Sequence, residues 1–267
     1  MIDVVPLKYG VTFKKAFGHK DVFCQLAHDV LGISINVDEI FQEKEFDVAI
    51  GRVKTRYDLF AEDKQKRIIV EIQRTWQSDF YDRFLHYHLS SIVEQAESHE
   101  EYSIPKTVYS IVILTSVPRN NKVTSSLATS DMDLSGELGE KLHIYNHRLV
   151  FLNPRLINKN TPANMLKWME LIRDSLDGKI DEKQYPSPIF QKGIADIKDD
   201  NISSEERGKL KDEAAFEKSK PQSFEEGMEK RGLEIARNML QKKIEIGLIS
   251  EITGLTPEEI SQLKATL

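Results

Sequence analysis

The sequence predicts an α/β fold: a mixed central sheet flanked by helices, with a helical C-terminal extension. Three observations carry this. Residues 59–61 and 68–72 are short apolar runs on either side of the polar stretch 63–66, the pattern of a hairpin. Residues 11–31 and 78–98 repeat apolar side chains at helical spacing. Residues 107–115 contain Tyr109-Ser110-Ile111-Val112-Ile113-Leu114, the continuous run of a strand buried on both faces.

The first helical stretch breaks at Gly18. Val22, Phe23, Leu26, Ala27, Val30 and Leu31 line its second piece, and Gly32 supplies a stop. Phe13 and Phe17 form an (i, i+4) apolar pair, and Lys14 and Lys15 beside them are expected on a solvated face. A connector follows, with a short strand expected over 37–41. In the hairpin, a turn centred between Lys64 and Gln65 makes facing residue numbers sum to a constant, so Glu62 faces Arg67 and Asp58 faces Glu71. Facing Cβ atoms lie roughly 4.5–5.5 Å apart, and alternation adds Gln73 to the face of Glu71. Like charges in that position destabilise a sheet. A shared divalent cation relieves them, since Mg²⁺ takes carboxylate oxygens and leaves room for water and phosphate. The competing reading is an exposed polar face on an edge hairpin in another register.

Ser78 can cap the helix over 78–98, where Arg83 is placed to reach a phosphate or to pair with Asp79. His86 and His88, two apart on a helix, are a poor metal pair. Residues 116–139 form a polar excursion containing Arg119-Asn120-Asn121-Lys122, and 142–152 read as another strand. Thr161-Pro162 opens a helix whose stripe is Met165, Trp168, Met169, Ile172 and Leu176. Pro186 and Pro188 mark a boundary, dividing the chain into a domain over 1–185, a charged linker over 186–222 and a helical tail over 223–267. In the tail, 249–260 fit a helix, a Gly254 turn and a second helix capped by Thr256. Glu258 and Glu259 at the start of that helix would repel phosphates, which favours a self-association or docking hairpin over a DNA reader. Leu233, Ala236, Leu240 and Ile244 form an apolar stripe that needs a partner, and a homo-oligomer through these helices is the expectation.

With 40% apolar and 30% charged residues, the 267-residue chain has the composition of a soluble globular protein. No apolar run approaches the ~20 residues that span a bilayer, so no membrane partner is expected. Met1-Ile2-Asp3-Val4 carries no signal-peptide pattern and Cys24 is the single cysteine, so the expected location is cytoplasmic. A net charge of −6 argues against coating DNA by bulk electrostatics. Basic residues nevertheless crowd the hairpin: Arg52, Lys54, Arg56, Lys64, Lys66, Arg67, Arg74 and Arg83.

Asp58, followed by Glu71-Ile72-Gln73 at the end of an apolar strand, resembles the PD-(D/E)xK nuclease signature. More narrowly it resembles the PD-(D/E)xK nuclease-family transposases, or recombination-promoting nucleases, in which the last position is commonly Gln. Tyr9-Gly10-Val11-Thr12-Phe13-Lys14-Lys15-Ala16-Phe17, Gly51-Arg52-Val53 and Asp79-Phe80-Tyr81-Asp82-Arg83-Phe84-Leu85-His86-Tyr87-His88 extend the likeness. The resemblance implies a restriction-endonuclease-like core and a metal-dependent DNA endonuclease with a role in recombination or mobile-element activity. Asp58 and Glu71 would hold Mg²⁺, with Mn²⁺ as a substitute, helped by the backbone carbonyl of Ile72. Gln73 would orient the attacking water, and Arg56, Arg74 and Arg83 would meet the DNA. The chain departs from the pattern in three places. Tyr57 stands where the signature has Pro, Lys8-Tyr9-Gly10 where many relatives carry an Asp, and Gln73 where most of the superfamily has Lys. These departures, with the acidic net charge, support an alternative: a nuclease-fold binding or regulatory module without efficient catalysis.

Overall fold

Phe13 and Phe17 stack with ring centroids 4.8 Å apart and seat the first helix against the sheet. The computed structural model describes residues 1–46, 54–75, 80–96, 103–116, 124–242, 244–253, 255–256, 260–261 and 263–264, with backbone alone at 217–232 and 251. Two units result, Met1–Arg207 and Gly208–Leu267. In chain order the elements are β1 (Ile2–Asp3), α1 (Gly10–Phe17), α2 (Lys20–Leu31), β2 (Phe41–Glu45), β3 (Arg56–Glu62), β4 (Lys66–Gln73), α3 (Phe80–Val93), β5 (Thr107–Leu114), β6 (Leu127–Asp131), β7 (Arg148–Leu152), α4 (Ala163–Ser175), β8 (Lys179–Ile180), α5 (Pro188–Ile197), α6 (Ser204–Gln241) and α7 (Ile246–Thr253). Expectations placed on 51–53, 78–79, 119–122, Gly254 and 257–259 lie outside the described residues.

The central sheet has six strands in the order β2-β3-β4-β5-β7-β6. The β4–β5 and β5–β7 pairs are parallel and the others antiparallel. A parallel neighbour demands a crossover, and α3 supplies it between β4 and β5. Side-chain alternation then sorts the sheet into two faces. Leu59, Ala61, Ile68, Val70, Ile111 and Val150 pack against α1, α2, α4 and α5. Ile69, Val112, Leu114, Leu149 and Phe151 turn to the other face, where α3 covers them with Phe80, Phe84 and Ile92. This is the expected mixed α/β core, a restriction-endonuclease-like arrangement with helices on both faces. The hairpin register is the one read from the sequence: Leu59↔Val70, Phe60↔Ile69, Ala61↔Ile68 and Glu62↔Arg67. Gly18 separates α1 from α2; a Cβ there would collide with the Lys14 carbonyl. Gly32 ends α2 at φ 68, a conformation that costs glycine nothing.

Several boundaries differ from expectation. The strand expected over 37–41 lies at Phe41–Glu45, while Val37 is a fully buried residue of the connector. The strand expected over 142–152 is cut to Arg148–Leu152. Asp133 explains this: its carboxylate accepts from the backbone N–H groups of His143, Ile144 and Tyr145 at 2.7, 2.8 and 3.0 Å, and His143 sits at φ 55. The polar excursion hides the edge strand β6, whose largely exposed sequence carries no apolar alternation. Residues 188–202, read as linker, belong to the first unit: Ile194, Ile197 and Ile202 are buried, and Lys15 donates to the carbonyl of Asn201 at 2.7 Å. In the second unit the stripe Leu233, Ala236, Leu240 and Ile244 is covered by Ile249, Ile260 and Leu263. The tail therefore supplies its own partner, which removes the argument for self-association. No helix among the described residues is long and apolar enough to cross a membrane.

Candidate metal and nucleic-acid site

The site begins with a fault in β3. On one side the β2–β3 pairs Gln42↔Leu59 and Lys44↔Tyr57 skip the position between them. There Glu43, opposite Asp58, turns to φ 54, uncommon for a residue other than glycine. On the other side the β3–β4 ladder stops at Leu59↔Val70. Alternation breaks as well, because Tyr57 packs with Phe60 and donates its hydroxyl to the carbonyl of Tyr87 at 3.1 Å. Backbone groups at Asp58 thus lose their ladder partners, and buried N–H groups require substitutes.

Two carboxylates provide them. The Asp58 N–H donates to Glu71 Oε1 at 3.1 Å, and the Ile72 N–H donates to Asp58 Oδ2 at 3.1 Å. Glu71 is only 5% exposed. Burial pushes its carboxyl well above the ordinary range, and the charge of Asp58 pushes it further. Burial also raises Asp58, against the pull of the Ile72 N–H and of the Lys14 charge. Both carboxyls are thus raised, Glu71 the more strongly. They form a coupled pair that cannot cheaply ionise together. A dication held between them would allow both to ionise, and an all-oxygen donor set suits a hard cation such as Mg²⁺. Among the described residues no group of three or more His, Cys, Asp or Glu is placed to hold a metal. Further oxygen would come from the backbone. The Gln73 carbonyl accepts from Thr115 N at 3.0 Å on the β5 side, so the polar groups of Ile72 alternate to the β3 side, where its N–H already meets Asp58.

Gln73, 6% exposed, closes the row. Its Oε1 accepts from Arg83 Nη2, and its Nε2 donates to the Thr75 carbonyl. Arg83 lies over the rings of Phe84 and Tyr87, 4.5 and 5.9 Å from their centroids. Arg74, just past the end of β4, stands 5.7 Å from the ring centroid of Tyr9. Arg56 is exposed on the edge side, beside Glu43 and Glu45 at 3.5 and 3.4 Å. The structure therefore gathers Asp58, Glu71, Ile72, Gln73 and Arg83, while Arg56 stands apart among acids. Arg67, counted in the basic rim, is not surface at all. It is 5% exposed, bonded to Glu62, Glu94 and the Ser91 carbonyl, and lies over Phe46 and Phe60.

Lys14 is the residue that sequence reasoning passed over. Its side chain is 15% exposed rather than solvated; it pairs with Glu43, and its charge reaches Asp58. Helical spacing alone cannot separate a lysine facing solvent from one facing a neighbouring strand. Lys15 likewise pairs with Glu206 at 3.0 Å.

Residues 9–222 match the family model described as PD-(D/E)XK nuclease family transposase. Residues 229–265 match the one described as Rpn/YhgA-like nuclease family, C-terminal HTH domain. Comparison with curated proteins and with solved structures gave no match. The second match likens the tail to a helix-turn-helix domain rather than to the docking hairpin expected from its charges.

Proposed function

The chain belongs to the PD-(D/E)XK nuclease family transposases, and from that premise we propose that it is a divalent-metal-dependent DNA endonuclease that hydrolyses phosphodiester bonds and serves recombination or a mobile element. The observation that carries this reading is the Asp58–Glu71 pair, Asp58 half-buried and Glu71 buried, with each carboxylate tied to the other strand's backbone at the fault in β3. A structural hairpin gains nothing from two facing acids. Asp58, Glu71 and the Ile72 carbonyl are the oxygens that would hold Mg²⁺, or Mn²⁺ in its place. The chemistry such an ion supplies when bound is polarisation of a phosphate and a more acidic water.

The chain's own residues do the rest. Asp58 and Glu71 would be the two anionic ligands of that cation, each fixed by a backbone N–H. Gln73 offers its second amide proton to a water or a phosphate oxygen; it cannot act as a base near neutral pH. Arg74 and Arg83 face the phosphodiester backbone from the end of β4 and from α3, with Arg56 at the rim. The helix-turn-helix tail adds DNA affinity outside the nuclease domain. Supercoiled plasmid with Mg²⁺ or Mn²⁺, with and without chelator, tests the reading on the full chain and on Asp58→Asn. Nicking that needs the metal and is lost in the variant is the expected result. DNA binding without any cleavage would instead favour a regulatory module built on the same fold.

A further inference from the structure

We propose that Arg83 and Gln73 act as one unit, in which Arg83 fixes the Gln73 amide and brings to the scissile phosphate the positive charge that a glutamine cannot carry. The inference rests on the endonuclease reading and gives Arg83 two roles within it, positioning the Gln73 amide and meeting the charge of the phosphate. A cleaving phosphodiester accumulates negative charge, and a site built from Asp58 and Glu71 adds more. Some cation of the chain must face that charge. Three are close. Lys14 is already neutralised by Glu43, and Arg56 lies between Glu43 and Glu45. Arg83 differs. Among the described residues it makes no ion pair; its hydrogen-bond partner is the neutral Gln73 amide.

The contact also determines which way the amide points. A guanidinium only donates and a carbonyl only accepts. Oε1 must therefore face Arg83 and Nε2 must face Thr75, which leaves one Nε2 proton for a substrate oxygen. The flat guanidinium lies over Phe84 and Tyr87, so its placement is set by α3 packing rather than by a flexible stem. Its Nε is buried with no partner among the described residues, so this donor is not committed elsewhere. The Arg83 charge also reaches both Asp58 and Glu71.

A charge swap tests the unit. Arg83→Gln should lower kcat about hundredfold, the size expected for a lost transition-state donor, and raise KM about tenfold. Arg83→Lys should recover most of that loss. Gln73→Lys alone should also lose activity, because it sets two cations against each other and removes the acceptor of Arg83. The double variant Gln73→Lys/Arg83→Gln moves the charge onto β4 and should return activity to within about tenfold of the parent, a non-additive result. A second readout does not depend on cleavage: anisotropy of a labelled duplex in chelator should show affinity reduced about tenfold in Arg83→Gln and regained in the double variant. Melting curves of all four variants check folding, and if Arg83→Gln melts early, Arg83→Lys and the double variant decide. The proposal is overturned if Arg83→Gln cleaves and binds like the parent, or if the double variant shows the product of the two single losses. A parent that cleaves no DNA sinks the endonuclease reading, and the binding arm then decides alone: affinity regained by the swap keeps the unit, and affinity not regained overturns it.

Discussion

Glu71→Gln is expected to stabilise the metal-free protein, and to do so more as pH rises. Gln has the shape of a protonated Glu and keeps an acceptor for the Asp58 N–H. In the parent, burial and the facing Asp58 hold the Glu71 carboxyl well above its ordinary 4.5. The folded state then keeps a proton that the unfolded chain has released. Stability is full below the unfolded value and falls as pH rises from there through the raised folded value. The scale follows from the geometry. Two unit charges about 5 Å apart at an effective dielectric near 20 repel by about 3 kcal/mol. Glu71→Gln should gain up to that amount at pH 8 and almost nothing near pH 4. For a domain of this size each kcal/mol moves the melting temperature by about 2–4 °C. Paired thermal melts in chelator across that pH range are the assay. Adding Mg²⁺ should raise the parent's melting temperature and leave the variant's nearly unchanged, since only the parent can offer two ionised carboxylates. A stability difference that is constant with pH, or a variant less stable than the parent at pH 8, refutes the reasoning.

Asp58→Asn should fold normally and lose metal-dependent nicking, whereas Asp58→Ala should cost a further 1–3 kcal/mol or so in a denaturant titration, because it strands the Ile72 N–H. Gln73→Ala should lose cleavage in a plasmid time course yet titrate Mg²⁺ like the parent in calorimetry; full activity would leave the amide without a role. His88 is fully buried, bonded to Ser110 at 2.8 Å and pushed down to about 4 by burial. The unfolded chain therefore takes up a proton first, stability drops as pH falls from 6.5 toward 4, and the loss amounts to roughly 3 kcal/mol. Melts of His88→Gln should lack that acid limb. A chain ending near Pro221 should sediment as its lost mass alone dictates, because the tail's apolar stripe is covered within the tail, and it should bind duplex DNA more weakly in anisotropy; a larger drop in sedimentation would restore the oligomer.

What the sequence determined by itself is what period and pairing encode. The facing pair at Glu62 and Arg67 follows from one turn centre and the two-residue repeat of a strand, and the same count puts Asp58 near Glu71, although the ladder itself ends at Leu59↔Val70. The buried β5 follows from an unbroken apolar run, and the division of α1 from α2 from a glycine. Tertiary structure decided everything that depends on which surface an element meets. Lys14 and Arg67 look like solvated charges in a list of residues, yet each lies in the core's margin with an acid beside it. Strand β6 has no apolar pattern because an edge strand needs none. Residues 188–202 look like linker by composition, but a few isoleucines suffice to anchor them. The bond between Arg83 and Gln73 joins α3 to the end of β4, and no spacing rule connects those positions. The fault at Asp58 also belongs to the folded state. It arises where Glu43 on one neighbouring strand and Glu71 on the other interrupt both ladders at once, and a strand reveals such a break only when its partners are in place.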